Sequence, residues 1–130
     1  MPTTRLLLLV EDEEMLLALL DDGLTEAGFE VVLASSGQKA IDELEVDAER
    51  FGGLITDIRL GSGPDGWTVA HRARELRPHI PVIYMSGDSG HKWDVQGVPN
   101  SLLVSKPFAV AQIVTAISTL LVHEDTRRNS

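Results

Sequence analysis

Short aliphatic runs alternate along the chain with stretches whose apolar residues recur at helical spacing, and this alternation restricts the fold more than any other feature. The first run is continuously apolar, which is typical of a strand buried on both faces of a sheet. The runs predict strands at Arg5–Val10, Glu30–Ala34, Gly53–Ile58, Val82–Ser86 and Ser101–Ser105. The amphipathic stretches predict helices at Glu13–Ala27, Gly37–Ala48, Trp67–Arg77, Gly87–Gln96 and Ala109–His123.

Local signals at the helix ends support these bounds. Gly28 supplies a stop after the first helix, and Ser36 is a suitable cap for the second. The fourth helix is the weakest, because Gly87 and Gly90 both lower helix propensity. We therefore expect the segment Gly87–Gln96 to be mobile.

Strands that alternate with helices indicate an α/β fold with a parallel sheet, because each crossover returns the chain in the same direction. A chain of 130 residues, of which 43% are hydrophobic, has the length of one domain. We expect the domain to span residues 1–123 and to be followed by a flexible polar tail at 124–130.

Composition excludes several classes of function. The chain has no cysteine, so it has no disulfide framework and no thiolate chemistry, which fits a cytoplasmic location. A net charge of −9 argues against direct binding to nucleic acid or to an anionic membrane. The apolar run near the N-terminus is too short to cross a bilayer. A protein or small-molecule partner is favoured.

Polar residues with surface character complete the expectations about structure. Arg72, Arg74 and Arg77 are expected on the solvated side of the third helix. The histidines show no metal-ligand spacing and are expected at the surface; they are His71, His79, His91 and His123.

Five polar residues follow or end predicted strands. Glu11 and Asp12 follow the first strand, Asp57 lies near the end of the third, Ser86 ends the fourth and Lys106 follows the fifth. In an open parallel sheet, ligands bind beyond the carboxyl ends of the strands. We therefore expect these side chains to converge on one edge of the sheet.

These residue types together indicate phosphoryl chemistry with a metal. Mg²⁺ takes oxygen ligands, and Glu11, Asp12 and Asp57 supply carboxylates. Transfer of a phosphoryl group to a carboxylate needs a cation and a hydroxyl for the remaining phosphoryl oxygens, which Lys106 and Ser86 provide. Pro107 disfavours helical backbone at Lys106 and so keeps the end of the fifth strand extended.

Each of these residues also has an ordinary structural explanation. The four acids from Glu11 to Glu14 would suit a helix N-terminus through the helix dipole alone. Asp57 fits a cap or turn, Ser86 a turn and Lys106 an exposed surface. Only their expected convergence on one edge favours the functional interpretation.

From Arg5 to Leu121 the chain resembles the receiver domain of two-component response regulators. The resemblance rests on four motifs in this order and spacing, namely Val10-Glu11-Asp12-Glu13, Asp57 with Asp65-Gly66 downstream, Met85-Ser86-Gly87 and Lys106-Pro107-Phe108. It implies the flavodoxin-like (βα)5 doubly wound sandwich, with a parallel five-stranded sheet in the strand order 2-1-3-4-5.

The resemblance also implies roles for individual residues. Asp57 would be the phosphoacceptor, and Glu11, Asp12, Asp57 and the backbone carbonyl of Arg59 would hold Mg²⁺. Ser86 would be the switch hydroxyl and Lys106 the phosphate partner. A histidine kinase or histidine phosphotransfer protein would donate the phosphoryl group. Such a domain is not a conventional enzyme, although it promotes its own phosphoryl transfer and dephosphorylation.

No effector domain follows the fifth helix in this sequence, so we expect a stand-alone receiver that signals to a downstream protein target. An exposed part of the last helix is also compatible with a homodimer.

Three features of the sequence depart from the common pattern of the family. Leu103 stands three residues before the lysine, where many relatives carry an aromatic switch residue. The loop from Asp57 to Gly66 is one residue longer than the commonest form and rich in glycine. Glu11 replaces a more frequent aspartate, and its longer side chain can still reach a metal through a water molecule.

Two functions from other classes remain as alternatives. A phosphatase similar to haloacid-dehalogenase enzymes would carry its nucleophile at the end of the first strand in an Asp-x-Asp pattern, which Asp12-Glu13-Glu14 does not match. A pseudo-receiver would keep the fold as a binding module without metal binding or phosphorylation.

Overall fold

The structure, a computed structural model, describes residues 6–88 and 90–128. Its sheet has five parallel strands in the order β2-β1-β3-β4-β5. The strands are β1 (Leu6–Val10), β2 (Glu30–Ala34), β3 (Gly53–Asp57), β4 (Val82–Ser86) and β5 (Leu102–Ser105). Arg5, predicted to begin the first strand, lies outside the described residues.

Helices follow every strand. They are α1 (Glu14–Glu26), α2 (Gly37–Asp47), α3 (Gly66–Leu76), α4 (Trp93–Gln96) and α5 (Val110–Arg128). Short 3₁₀ turns cover Ala48–Arg50 and Gly90–Lys92. The predicted flavodoxin-like fold and strand order are therefore confirmed. The predicted cap is confirmed too, because the Ser36 hydroxyl oxygen accepts the Lys39 N–H at 3.1 Å.

The sheet separates two hydrophobic cores. On one face the side chains of β1, β3 and β4 pack against α1 and α5; they include Leu7, Leu9, Ile55, Ile83, Leu20, Leu24, Ile113 and Ile117. On the other face they pack against α2 and α3; this cluster includes Leu8, Val10, Leu54, Tyr84, Ala40, Leu44, Val69 and Ala70. Because both faces are covered, the central strands read as continuous apolar runs.

The fourth helix is much shorter than the stretch that was predicted. Only its last four residues are α-helical, a 3₁₀ turn precedes them, and none of the four is buried. Glycines at 87 and 90 weaken the first half of the stretch, and Gly97 ends it.

The final helix corrects the prediction of a flexible polar tail after His123. α5 continues to Arg128, and Glu124 is buried beside Arg77, with Oε1 3.1 Å from the arginine Nη2. Glu124 follows Ile113, Ile117 and Leu121 on the inward face of α5, so the buried stripe continues with an acid in place of an apolar residue. Residues 129 and 130 lie outside the described residues.

Arg77 and Arg74 also correct the prediction of a solvated arginine side on α3. Arg77 is buried, and Arg74 donates hydrogen bonds to the carbonyl oxygens of Ile80 and Pro99. Arg72 stays partly exposed and pairs with acids on α2 and α3. The four histidines are exposed, as predicted. Within the described residues no helix has the length and apolar character needed to span a membrane.

Candidate functional site

The end of β3 is held against the start of α3 by a close backbone approach. The Gly66 N–H donates to the Ile58 carbonyl oxygen at 2.8 Å, and a Cβ atom at Gly66 would collide with the carbonyl oxygen of Asp57. Asp65 caps α3 by accepting the Thr68 N–H at 2.9 Å. The Asp-Gly pair therefore fixes the backbone that carries Asp57.

Three carboxylates meet at the carboxyl ends of β1 and β3. Oxygen atoms of Glu11, Asp12 and Asp57 all lie within 4.8 Å of one another. Glu11 is 1% exposed and Asp57 is 6% exposed, whereas Asp12 faces solvent. The Glu13 N–H donates to Oε2 of Glu11 at 3.0 Å and fixes that side chain. A cluster of three acids is unfavourable without a cation.

Lys106 supplies one positive charge to this cluster. Its Nζ lies 2.9 Å from Oδ2 of Asp57 and 3.4 Å from Oε1 of Glu11. The backbone N–H of Lys106 donates to the Ser86 carbonyl oxygen at 2.7 Å, which ties the end of β5 to the end of β4. The lysine is thus held in place by both its backbone and its side chain.

The electrostatics of the cluster leave it short of positive charge. Burial raises the pKa of Glu11 to about 7, and the charge of Asp57 adds to the rise against the opposing effects of the Glu13 N–H and Lys106. Burial alone would lower the pKa of Lys106, but the hydrogen bond and charge of Asp57, with Glu11, raise it. One ammonium group does not neutralise three acids, so the site suits a further cation.

A cavity of about 260 Å³ opens above Asp57. Ser86 and Lys106 line it with Asp57, and the Ser86 side chain is buried at the strand end. Arg59 and Asp88 form an exposed ion pair at its rim, with Arg59 Nε 3.1 Å from Oδ1 of Asp88. The cavity is therefore bounded by a carboxylate, a hydroxyl and an ammonium group, and it is open to solvent.

All five side chains expected at the carboxyl edge of the sheet are brought together there. Sequence reasoning missed how closely the β3–α3 loop approaches them. Gly61 has a φ of 71°, and a Cβ built on it would lie 3.4 Å from Oδ2 of Asp12. The glycine-rich composition of the loop was the only signal of this contact.

Sequence reasoning also missed a buried hydrogen bond made by Tyr84, which lies on β4 beside Leu103. Tyr84 on β4 pairs in register with Leu103 on β5 and is fully buried. Its hydroxyl accepts the Val98 N–H at 3.1 Å. Burial raises the pKa of Tyr84, so the hydroxyl remains protonated near neutral pH. A tyrosine inside an apolar run gives no sequence signal for such a partner.

Comparison with known proteins identifies the family. The model of the response regulator receiver domain family matches residues 7–118. A crystal structure of a response regulator receiver protein from Sinorhizobium medicae WSM419 superposes with a TM-score of 0.86 at 46% identity and covers 89% of this chain and 93% of that one.

Curated relatives include regulators of two lengths. The response regulator receiver protein CpdR of Brucella abortus is 29% identical over 89% of this chain and 96% of its own length. The transcriptional regulatory protein CusR of Escherichia coli K12 is 34% identical over 88% of this chain and 50% of its own length. The transcriptional activator protein IrlR of Burkholderia pseudomallei is 32% identical over 95% of this chain, which spans 53% of IrlR. The chain thus spans about half the length of these two longer relatives. It belongs to the receiver domain family of two-component response regulators.

Proposed function

We propose that Asp57 accepts a phosphoryl group from a histidine kinase or a histidine phosphotransfer protein in a reaction that depends on Mg²⁺. One observation carries the proposal. The Asp57 carboxylate lies at the floor of an open cavity, 2.9 Å from the Lys106 ammonium and beside two further acids. This arrangement combines a nucleophile, a fixed positive charge and an excess of negative charge.

The donor set fits Mg²⁺. Glu11, Asp12 and Asp57 offer only oxygen atoms, as this ion prefers, and the raised pKa of Glu11 reflects a site that a cation would stabilise. We assign the three carboxylates and the Arg59 backbone carbonyl as its ligands. A bound ion would supply positive charge that lowers the repulsion between a carboxylate and a negatively charged phosphoryl group.

The protein groups perform the transfer as follows. An Asp57 carboxylate oxygen attacks the phosphorus atom of a phosphohistidine, the P–N bond breaks, and the imidazole leaves with the bonding electron pair and takes up a proton. Lys106 pairs with the negative charge on the phosphoryl oxygens, and the Ser86 hydroxyl donates a hydrogen bond to one of them. Attack of water on the phosphorus atom later returns Asp57 to its free carboxylate and releases inorganic phosphate.

Phosphorylation changes the local charge enough to act as a signal. It adds about −1.5 to −2 charges beside Lys106 and Ser86. Ser86 ends β4, which leads into the segment before α4, and Lys106 follows β5, which begins after α4, so their movement toward the phosphoryl group alters the surface around α4. A downstream protein target, or a second copy of the domain, then binds one of the two states preferentially.

Intact mass spectrometry tests the proposal. The protein is incubated with acetyl phosphate and Mg²⁺, and a phosphoryl adduct is expected that is absent with EDTA and absent in Asp57→Asn. Asp65→Asn is the matched control, because it makes the same chemical change at the far end of the loop that follows Asp57 and preserves an α3 cap. An adduct that persists in Asp57→Asn contradicts the assignment. Absence of any adduct in the unmodified protein favours a pseudo-receiver.

A further inference from the structure

Tyr84 lies on the same face of β4 as Ser86, because side chains two residues apart on a strand point in the same direction. It pairs in register with Leu103, the position where many relatives carry an aromatic switch residue. The aromatic ring is therefore present on this face of the sheet, but on the neighbouring strand. The centroid of the Trp67 ring lies 4.8 Å from the centroid of the Tyr84 ring, so the two rings pack against each other.

The tyrosine hydroxyl connects β4 to the turn between α4 and β5. It accepts the backbone N–H of Val98, a residue that is 4% exposed. A buried N–H without a partner is costly, so the position of Val98 depends on the position of this hydroxyl.

Val98 is in turn connected to α4. Its carbonyl oxygen accepts the Ser101 hydroxyl at 2.7 Å, and the Ser101 oxygen accepts the Trp93 indole N–H at 2.9 Å. Trp93 also packs on Gly97 so closely that a Cβ atom at that position would collide with the indole. A continuous set of hydrogen bonds thus runs from Tyr84 through Val98 and Ser101 to Trp93.

α4 depends on such connections because it cannot stabilise itself. It has four residues and buries none of them, and an isolated helix of one turn is unstable in water. A further side-chain bond to this element joins His71 Nε2 on α3 to the Gln96 carbonyl oxygen, at 2.8 Å on an exposed surface. The buried connection through Tyr84 is the one that leads toward Ser86.

We infer that Tyr84 is a positioning residue that couples the end of β4 to α4 through its hydrogen bond to the Val98 N–H. The inference rests on the proposed phosphorylation of Asp57 as the event that moves Ser86. Movement of Ser86 shifts the end of β4, and the Tyr84 hydroxyl moves away from Val98. Val98, Ser101 and Trp93 then lose their common anchor, and the α4 surface is released.

Amide hydrogen exchange measured by NMR tests this coupling in the full chain. In the free protein, Tyr84→Phe should make the Val98 amide exchange about tenfold faster, because one buried hydrogen bond is lost. In the unmodified protein, Mg²⁺ with beryllofluoride should produce a similar acceleration and shift the Trp93 indole N–H signal. In Tyr84→Phe the same addition should change Val98 exchange little further.

Two variants control for indirect effects. Ser101→Ala breaks the same set of bonds at its other end, and it should shift the Trp93 signal in the free protein while Tyr84 is intact. Thr119→Val removes a hydroxyl that donates to the Thr115 carbonyl oxygen on the exposed side of α5, and it should leave Val98 exchange unchanged. Unchanged Val98 exchange in free Tyr84→Phe would overturn the inference.

The outcomes separate this inference from the proposed function. Bound beryllofluoride is detected by its ¹⁹F signal, and phosphorylation of Tyr84→Phe by acetyl phosphate is measured by intact mass and should still produce the adduct. If beryllofluoride binds and Val98 exchange stays the same, the coupling is wrong and the phosphorylation proposal stands. If the unmodified protein neither binds beryllofluoride nor gains a phosphoryl group, both the coupling and the phosphorylation proposal are wrong.

Discussion

The buried ion pair between Arg77 and Glu124 makes the clearest prediction about stability. The two side chains are 5% and 7% exposed, and Arg77 Nε and Nη1 have no hydrogen-bond partner in the described part of the protein. Glu124→Gln keeps the size of the side chain but removes its charge. The arginine is then left buried without a counter-charge, which typically costs about 3–5 kcal/mol.

That loss is a large fraction of the total stability of a small domain, about 5–15 kcal/mol. For a chain of this length it corresponds to a fall in Tm of about 10–18 °C. Urea unfolding followed by circular dichroism at pH 7 measures the free energy directly. Glu75→Gln is the matched control, because the Arg72–Glu75 pair is exposed and should change stability by less than about 1 kcal/mol.

A double variant separates the effect of losing the whole ion pair from the effect of leaving one charge buried alone. Arg77→Met combined with Glu124→Leu removes both charges, and its stability should lie much closer to that of the unmodified protein than the stability of Glu124→Gln does. If Glu124→Gln costs no more than Glu75→Gln, the pair is not buried as described. The helical end of α5 would then be the flexible tail that the sequence predicted.

Three further predictions concern the site and its supports. The pKa of Glu11 is raised to about 7 from 4.5, so protonation of Glu11 stabilises the metal-free fold. This contribution, about 3 kcal/mol, is fully present below about pH 4.5 and is lost as pH rises through 7. Urea unfolding in EDTA from pH 5 to 8 should show the loss, and Glu11→Gln should flatten the dependence of stability on pH. Gly66→Ala should destabilise the fold by about 1–3 kcal/mol and slow phosphorylation by acetyl phosphate, because the added methyl group displaces the Asp57 backbone; an unchanged rate would contradict the role of this glycine. Ser36→Ala should cost about 1 kcal/mol in urea unfolding through loss of the bond to the Lys39 N–H, whereas Ser36→Gly should cost less.

The fold was predictable because the sequence patterns that indicate its strands and helices are local. Each strand is a short apolar run and each long helix an amphipathic stretch, and the handedness of the crossovers restricts how they assemble. The site followed from the same reasoning, because the carboxyl ends of parallel strands share an edge. Glu11, Asp57 and Lys106 could therefore be placed together from positions about a hundred residues apart.

What could not be predicted depends on contacts between distant segments. Nothing in the composition of the last seven residues indicates that Glu124 meets a buried arginine 47 positions earlier in the chain. Arg77 similarly looks like an ordinary surface residue at the end of α3. The hydrogen bond from Val98 to Tyr84 requires the register of β4 beside β5, which apolar patterning alone does not give.

The central claim is that Asp57 carries the phosphoryl group, and one measurement tests it most directly. After reaction with Mg²⁺ and acetyl phosphate, borohydride reduces an aspartyl phosphate to homoserine, and trypsin releases the peptide from Phe51 to Arg59, in which Asp57 is the only side-chain carboxylate. Mass spectrometry should find homoserine at position 57 only when Mg²⁺ is present. Homoserine at position 12 or 65 in place of 57 would contradict the account.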